Sequence, residues 1–370
     1  MERFAACFAE LKDPREDNAR HDLLEILLIA LCAMLCGAEG CCDMALFGQA
    51  KEAFLRQFLR LRHGIPSHDT FSRLFRLLDP AQFHACFLRF MQDFAETAQG
   101  VIAIDGKTLR HSFDRATQKS PLHLVSAWAA DCRLLLGQLA TEEKSNEITA
   151  VPKLLEMISL NGRIVTADAL NCQRAIAAKV VEKGGNYVLA LKANQGTLFD
   201  DVRLYLDDPA HLETLLSGEA EVDGDHGRIE TRQAFLCTTI NWLADHRWPG
   251  LAAVGKIARR RELNGSASQE TAYYLLSTPL SAARFGEVAR AHWGIENSLH
   301  WVLDVSMNED HNRTRKDNAA ENLALLRRWA LNACKLEGSK GSIKGKLKHA
   351  GWNDGFLARL LAAAGKCQMR

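Results

Sequence analysis

The stretch VIAIDGKTLR, residues 101–110, joins an apolar run directly to a carboxylate. Residues 101–104 have the unbroken apolar character of a strand that is buried on both faces. Asp105 and Gly106 follow at once. Because an unpaired buried charge is very costly, Asp105 needs a partner. The residues alone leave two interpretations open: a salt bridge to a nearby Lys or Arg, or a functional site where the strand ends.

The same pattern recurs in GRIVTADALN, residues 162–171, where a second apolar strand leads to Asp168. Ligand sites in open α/β sheets collect at the carboxyl ends of strands. Two acids on neighbouring strands would therefore face the same side of the sheet. The alternative is that Asp168 caps the helix that follows, with Asn171 as a rival cap.

A third acid, Glu296, lies in RAHWGIENSLHWVLDV, residues 290–305. Apolar residues at helical spacing surround it, which is unusual for a glutamate. The alternative is a surface glutamate that pairs with Arg290 or His300.

The order of predicted elements around these acids indicates a mixed α/β sheet. Residues 101–192 read as β-β-β-α-β-α-β, the order of strands and helices in the RNase H-like fold. We predict this sheet with flanking helices, a helical N-terminal domain and a β-rich insertion. The predicted segments are a helical domain (1–96), the core of the sheet in two parts (97–195 and 284–335), the insertion (196–283) and a basic C-terminal tail (336–370). The helical domain is compatible with DNA binding and equally with a packing role.

The composition excludes several classes of protein. The formal net charge of +1 and a pI near 7.6 do not mark a general nucleic-acid binder, although a local basic face remains compatible. The 11 cysteines form no zinc spacing and fit a reduced cytosol. The apolar run at 23–38 contains Glu25 and favours a buried helix over a membrane span, and the N-terminus does not resemble a signal peptide.

Three converging carboxylates fit one kind of chemistry. Mg²⁺ and Mn²⁺ prefer hard oxygen ligands, and two such ions about 3.5–4 Å apart can bind the attacking and leaving oxygens of a phosphodiester. No Walker A loop, GxGxxG motif or Ser-His-Asp pattern competes for this role.

The motifs together resemble the ISAs group of DDE insertion-sequence transposases, also called H-repeat-associated proteins. The resemblance is carried by IAIDGKTLR (102–110), EEKSNEI (142–148), TADALNCQ (166–173), LKANQG (191–196), DHGRIETR (225–232) and HWGIENSLHWVLDV (292–305). DPR (13–15) and IPSHDTFSRLF (65–75) resemble the N-terminal region of that family. The likeness covers about residues 4–365, with the motifs in the same order.

This resemblance implies a metal-dependent enzyme that cuts the DNA at the ends of a mobile element and joins it to target DNA. It implies Mg²⁺ or Mn²⁺ as cofactor, double-stranded DNA (terminal inverted repeats and target) as partner, and a homodimer without membrane attachment. A bacterial cytoplasmic location at the nucleoid follows. The family's motif acids, as catalytic residues and metal ligands, fall on Asp105, Asp168 and Glu296.

The wider signature around the family's glutamate is absent. Related families have Tyr, Arg and Lys where this chain has Ala289, His292 and Leu303. Phosphate contacts must therefore come from other residues. The predicted DNA contacts are Lys107, Arg110, Lys192, Asn194, Gln195, His226, Arg228, Arg232, His292, Asn297 and His300. The alternatives are neutralisation of the acids for Lys107 and Arg110, loop capping for residues 192–195, and a solvated strand face for the arginines of the insertion. Two alternatives remain open: a domesticated or structure-selective nuclease on the same core, and a catalytically silent DNA-binding protein.

Overall fold

The structure, a computed structural model, describes residues 2–16, 19–97, 100–114, 118–141, 147–225, 228–263 and 266–365. Within these residues ten strands form one sheet. The strands are β1 (Val101–Thr108), β2 (His123–Ala129), β3 (Leu134–Thr141), β4 (Ile164–Ala167), β5 (Asn186–Leu191), β6 (Leu216–Ser217), β7 (Glu221–Asp225), β8 (Arg228–Cys237), β9 (Ala253–Leu263) and β10 (Ser266–Leu276).

Helices cover the sheet, and the helices from the two ends of the chain form a separate layer. They are α1 (Glu2–Phe8), α2 (Leu23–Leu35), α3 (Cys41–Ala50), α4 (Glu52–Leu55), α5 (His68–Leu77), α6 (Pro80–Thr97), α7 (Glu147–Glu156), α8 (Arg174–Glu182), α9 (Thr197–Asp207), α10 (Ala282–His292), α11 (Trp301–Met307), α12 (Ala319–Leu336), α13 (Ile343–Trp352) and α14 (Asp354–Gly365). A π-helical turn at Glu296–His300 leads directly into α11.

The sheet has the predicted RNase H-like arrangement. Its order is β3-β2-β1-β4-β5-β10-β9-β8-β6, with β7 paired to β8. The first three strands pair antiparallel, whereas β1, β4 and β5 run parallel. Helices α7 and α8 supply the crossovers that parallel neighbours need. The predicted fold class is confirmed.

The β-rich insertion extends this sheet. Strand β10 pairs antiparallel with β5, and β9 and β8 follow as further neighbours. The two-residue link 264–265 between β9 and β10 falls outside the described residues. The strands of the predicted insertion therefore continue the same backbone ladder as β1 to β5.

The helical ends of the chain share one hydrophobic core. Trp329 of α12 is 1% exposed and contacts the rings of Phe4, Phe8 and Phe90 at centroid distances of 5.7, 4.9 and 4.8 Å. Residues predicted as a basic tail form α13 and α14, and Leu357 of α14 is fully buried in that core. The five-segment division stays a prediction, but the first and last segments pack as one helical layer.

Local sequence signals fix several helix starts. Asp22 accepts a hydrogen bond from the Glu25 N–H, and Ser67 accepts one from the Thr70 N–H, as N-cap residues do. The apolar run at 23–38 forms the buried helix α2, as predicted. Among the described residues, no helix combines the length and the apolar character that crossing a bilayer requires.

We predict that Trp329→Ala lowers the free energy of unfolding by about 3–5 kcal/mol, because it leaves a large cavity in the shared core. Urea unfolding followed by circular dichroism measures the change. Trp352→Ala is the matched control, because that tryptophan is 79% exposed and should give no measurable change. Equal effects of the two substitutions would contradict a core centred on Trp329.

Candidate active site

The parallel register of β1 and β4 brings Asp105 and Asp168 side by side. The last paired residues are Ile104 and Ala167, and each acid is the next residue of its chain segment. Because side chains alternate along a strand, both acids lie on the sheet face away from Ile104 and Ala167. The first two predicted site residues are therefore neighbours on one face.

Glu296 reaches the same face from the far end of the chain. A bond from the Trp301 N–H to the Glu296 carbonyl closes the π-helical turn. Ligand atoms of Asp105, Glu296 and His300 all lie within 4.8 Å of one another. His300 Nδ1 lies 3.4 Å from Asp105 Oδ2 and 3.3 Å from Glu296 Oε2. Two of the three predicted acids, Asp105 and Glu296, therefore meet with His300 between them. Asp168 follows the neighbouring strand and is not a member of this group.

The site disfavours the ionised form of Asp105. Burial raises the pKa of Asp105 to about 6, although His300 and the Gly106 N–H favour the carboxylate. The nearby charges of Asp168 and Glu296 add to the rise. Asp168 and Glu296 therefore each oppose the ionisation of Asp105 when no cation is bound.

Two histidines have different roles beside the acids. The hydrogen bond with His300 lowers the pKa of Glu296 against the opposing effect of partial burial. His292, in the last turn of α10, contacts the Thr166 hydroxyl at 3.2 Å. Burial lowers the pKa of His292 to about 4, and Asp168 acts in the opposite direction. The imidazole of His292 is therefore neutral at neutral pH. A neutral ring offers a phosphate no charge, so His292 is a poorer phosphate contact than the sequence suggested.

The donor set fits a divalent cation. Two carboxylates and one imidazole are close enough to share one ion, and Asp168 stands beside them. His300 is 4% exposed, and its Nε2 has no hydrogen-bond partner among the described residues. Such an orphaned buried nitrogen is typical of a functional site.

Asp168 caps the loop after β4, and not helix α8. Its Oδ1 accepts hydrogen bonds from both the backbone N–H and the side-chain amide of Asn171, each at 3.1 Å. The N-cap residue of α8 is Gln173, which makes no side-chain capping bond. Neither bond to Asn171 uses Oδ2 of Asp168, so capping and cation binding are compatible.

The loop that carries Asp168 is held by two of the predicted DNA contacts. The Asn194 amide donates to the Ala169 carbonyl, and the Gln195 amide donates to the Cys172 carbonyl, both at 2.7 Å. Lys192, just before them, is exposed. Asn194 and Gln195 therefore hold the loop that carries Asp168, and their contact with DNA stays a prediction.

Lys107 lies inside the protein, although the sequence suggested a phosphate contact. Its ammonium group pairs with Asp304 of α11 and lies 3.5 Å from Glu309 Oε2. Glu309 is fully buried and forms a two-pronged bond with Arg328, at 2.6 and 3.3 Å. This buried network, Lys107, Asp304, Glu309 and Arg328, ties α11 and α12 to β1. Arg110 is different, since its side chain is 79% exposed.

The remaining predicted contacts are dispersed. Arg228 and Arg232 both pair with the buried Glu230, with shortest distances of 3.7 and 2.7 Å. Asn297 is exposed beside Glu296. His226 lies outside the described residues. These DNA contacts remain predictions.

Sequence reasoning placed His300 among possible phosphate contacts and named it as an alternative partner of Glu296, and that pair is present. It missed the second contact of His300, with Asp105. The signal for the first pair is local, since Glu296 and His300 are four residues apart and share a helical face. Sequence reasoning also missed the buried network around Lys107. Lys107 and Asp304 are 197 residues apart in the sequence. No local pattern shows such a pairing.

Comparison with known families agrees with the site. A model described as "Transposase DDE domain" matches residues 96–333, and one described as "DDE_Tnp_1-associated" matches residues 5–91. The first covers more than half of the chain, so the chain belongs to the family of transposase DDE domains. The resemblance drawn from the motifs is confirmed.

Individual relatives support this assignment. The chain is 38% identical over 361 residues to the "H repeat-associated putative transposase YhhI" of Escherichia coli, covering 94% of each chain. It is 45% identical over 280 residues to the "Uncharacterized protein in dhlA 3'region" of Xanthobacter autotrophicus, covering 73% of this chain and 92% of that one. A solved piggyBac transposase synaptic complex with hairpin DNA aligns with a TM-score of 0.44 and 11% identity, over 97% of this chain and 77% of that one. That last likeness is too remote to support an inference.

We predict that Asp105→Asn stabilises the metal-free protein at neutral pH. The folded protein holds the Asp105 proton more tightly than the unfolded chain, so its stability falls as the pH rises through the interval between the two pKa values. A rise from 3.8 to about 6 corresponds to roughly 3 kcal/mol at pH 7. Thermal unfolding in EDTA from pH 4 to 8 measures it, and the gain should vanish near pH 4. Asp245→Asn, at an exposed position, is the control. A gain in stability that is independent of pH would show that it does not come from the raised pKa of Asp105.

We predict that Glu309→Gln lowers the free energy of unfolding by about 3–5 kcal/mol, because it leaves buried cations without their carboxylate. Burial opposes ionisation of Glu309, but Arg328 and Lys107 outweigh it and lower the pKa of Glu309. Urea unfolding at pH 7 measures the loss. Glu182→Gln, which removes an exposed partner of Lys179, is the control and should leave the unfolding midpoint unchanged. A wild-type midpoint for Glu309→Gln would show that the network does not stabilise the fold.

Proposed function

We propose that this protein is a metal-dependent DNA transposase that cleaves the ends of a mobile element and joins them to target DNA. The observation that carries the proposal is the meeting of Asp105, Glu296 and His300 beside Asp168, at the carboxyl ends of two parallel strands. Membership of the transposase family supports the same activity.

Each acid would have a separate part in holding the site together. Asp105 and Asp168 are fixed by the backbone ladder, so they define where a cation would bind. Glu296 would complete the ligand set from the opposite side. A bound Mg²⁺ or Mn²⁺ supplies charge stabilisation for the attacking and leaving oxygens of a phosphodiester.

His300 would hold Glu296 close to Asp105. Both atoms that face His300 Nδ1 are carboxylate oxygens, which can only accept a hydrogen bond when ionised. The Nδ1–H can donate to either acid and so reduces their mutual repulsion. We propose His300 as a member of the site, and no longer mainly as a phosphate contact.

DNA is the proposed partner, and its binding must come from local groups because the net charge is only +1. Arg110 and Lys192 are exposed cations on segments that lead from the site. Trp293 and Trp301 are 55% and 58% exposed on either side of Glu296, which suits contact with bases or sugars. A homodimer at the nucleoid in the bacterial cytoplasm belongs to this proposal, since two element ends must be handled together.

We predict that Asp105→Asn abolishes cleavage but leaves DNA binding intact. The test uses purified full-length protein, Mg²⁺ or Mn²⁺, and labelled duplexes that carry the DNA flanking its own gene. Cleavage should fall by at least about 10³-fold, because a ligand of the reacting centre is lost. Binding is measured by gel shift in the same buffer.

Asp245→Asn is the control and should retain both activities. Cleavage without joined products would favour the nuclease alternative. Binding without any cleavage by the wild-type protein would favour a silent DNA-binding protein. Full cleavage by Asp105→Asn would overturn the proposed site.

A further inference from the structure

A second buried network lies on the opposite face of β1 and ends at Asp168. The Thr108 hydroxyl contacts His123 Nδ1 at 2.8 Å, and His123 Nε2 contacts Glu147 Oε1 at 2.6 Å. The Asn171 amide donates to Glu147 Oε2 at 2.9 Å and to Asp168 Oδ1 at 3.1 Å. One continuous chain of hydrogen bonds therefore runs from β1 to the second acid of the site.

The members of this network are shielded from water. Glu147 and His123 are each 2% exposed, and Asn171 is fully buried. A buried carboxylate is costly unless its oxygens are bonded, and both oxygens of Glu147 accept a hydrogen bond here. Glu147 belongs to the EEKSNEI motif (142–148), to which the proposed function gives no role.

The orientation of the Asn171 amide is fixed by its two acceptors. Its NH₂ group bridges two carboxylates, and turning it around would face its oxygen towards both. This arrangement has an energetic cost. Asn171 Oδ1 is buried and has no hydrogen-bond partner among the described residues. An amide that leaves its own oxygen unsatisfied in order to bridge two acids indicates a positioning role.

Gly106 makes room for the network directly beside Asp105. A Cβ atom at position 106 would lie 2.4 Å from Glu147 Oε1 and 2.5 Å from His123 Nε2. The Glu147 carboxylate therefore packs against the backbone of the strand that carries the first acid. The network fixes the Asp168 loop relative to that strand.

We propose that Glu147 is a positioning residue that acts through Asn171 to hold the Asp168 carboxylate in place for a divalent cation. This inference depends on the proposed function, since it assumes that Asp168 is a cation ligand. Partners behind the ligands of a metal typically change its affinity by about 10–100-fold when they are removed. Glu147 would act on affinity without touching the cation.

The conservative substitution distinguishes geometry from charge. In Glu147→Gln the side-chain oxygen can still accept from Asn171, and the new amide can donate to His123 Nε2. His123 then donates from Nδ1 to the Thr108 hydroxyl, which requires only the other tautomer. Glu147→Gln should therefore keep the network, whereas Glu147→Ala and Asn171→Ala interrupt it. Asn171→Ala retains the backbone N–H bond to Asp168.

The experiment measures the dissociation constant of Mn²⁺ from the DNA-free full chain, by electron paramagnetic resonance of free Mn²⁺. Circular dichroism confirms that each variant is folded at the temperature used. The matched control is Asn332→Ala, which removes another buried amide bonded to the Leu135 backbone, remote in the sheet from Asp168. A purely structural loss should lower the melting temperature of the control and leave its Mn²⁺ affinity unchanged.

We expect Glu147→Ala and Asn171→Ala to weaken Mn²⁺ binding by about 10-fold or more, and Glu147→Gln to stay near the wild-type value. In an Asp168→Asn background, Glu147→Ala should add nothing, because its effect passes through Asp168. If Glu147→Ala does not fold, Asn171→Ala and Glu147→Gln decide the question.

Two results would overturn the inference in distinguishable ways. If Asp105→Asn and Asp168→Asn weaken Mn²⁺ binding but Glu147→Ala and Asn171→Ala do not, only the positioning role fails. If neither Asp105→Asn nor Asp168→Asn weakens binding, the cation site fails, and the proposed function fails with it.

Discussion

The parallel pairing of β1 with β4 is the constraint on which the site depends. Pairing Ile104 with Ala167 places Asp105 and Asp168 next to each other and on one face. Since side chains alternate along a strand, a shift of the pairing by one residue would send one acid to the opposite face. The buried cores on both faces of the sheet hold this register, because a shift would also expose their apolar side chains.

Because side chains alternate along β1, the two faces of this strand carry different contacts that support the site. Asp105 and Lys107 point to the face covered by the π-helical turn and α11, where Lys107 pairs with Asp304. Gly106 and Thr108 belong to the opposite face, where the network of His123 and Glu147 packs. Four successive residues therefore connect the site to both layers of the protein. Removing one partner of such a buried pair is costly, but apolar residues of similar volume would often stabilise the fold as well. The presence of charges here is therefore better explained by the precise placement of the acids.

Much of this organisation was predictable from sequence, because it is encoded locally. Apolar runs and capping residues such as Asp22 and Ser67 are local signals of the core elements, and the acids that follow two strands single out Asp105 and Asp168. Long-range pairing was not predictable in this way. Nothing near β10 indicates that it continues the sheet beside β5, and nothing near Lys107 indicates that Asp304 will neutralise it. Exposed and buried lysines look alike in a sequence, which is why a DNA contact and a pairing with acids both stayed open for Lys107.

The three acids differ in how firmly the fold holds them. Asp105 and Asp168 are attached to a backbone ladder, whereas Glu296 lies on a π-helical turn and its side chain is 63% exposed. Its position depends on His300 and on the Lys107–Asp304 pair, both of which join segments nearly two hundred residues apart. Burial is the main cause of the raised pKa of Asp105, and the charges of Asp168 and Glu296 add to it, so the metal-free site disfavours the Asp105 carboxylate. In the proposed function, a bound cation would relieve this cost of burial and repulsion, and the cost exists only when the folded chain brings these residues together.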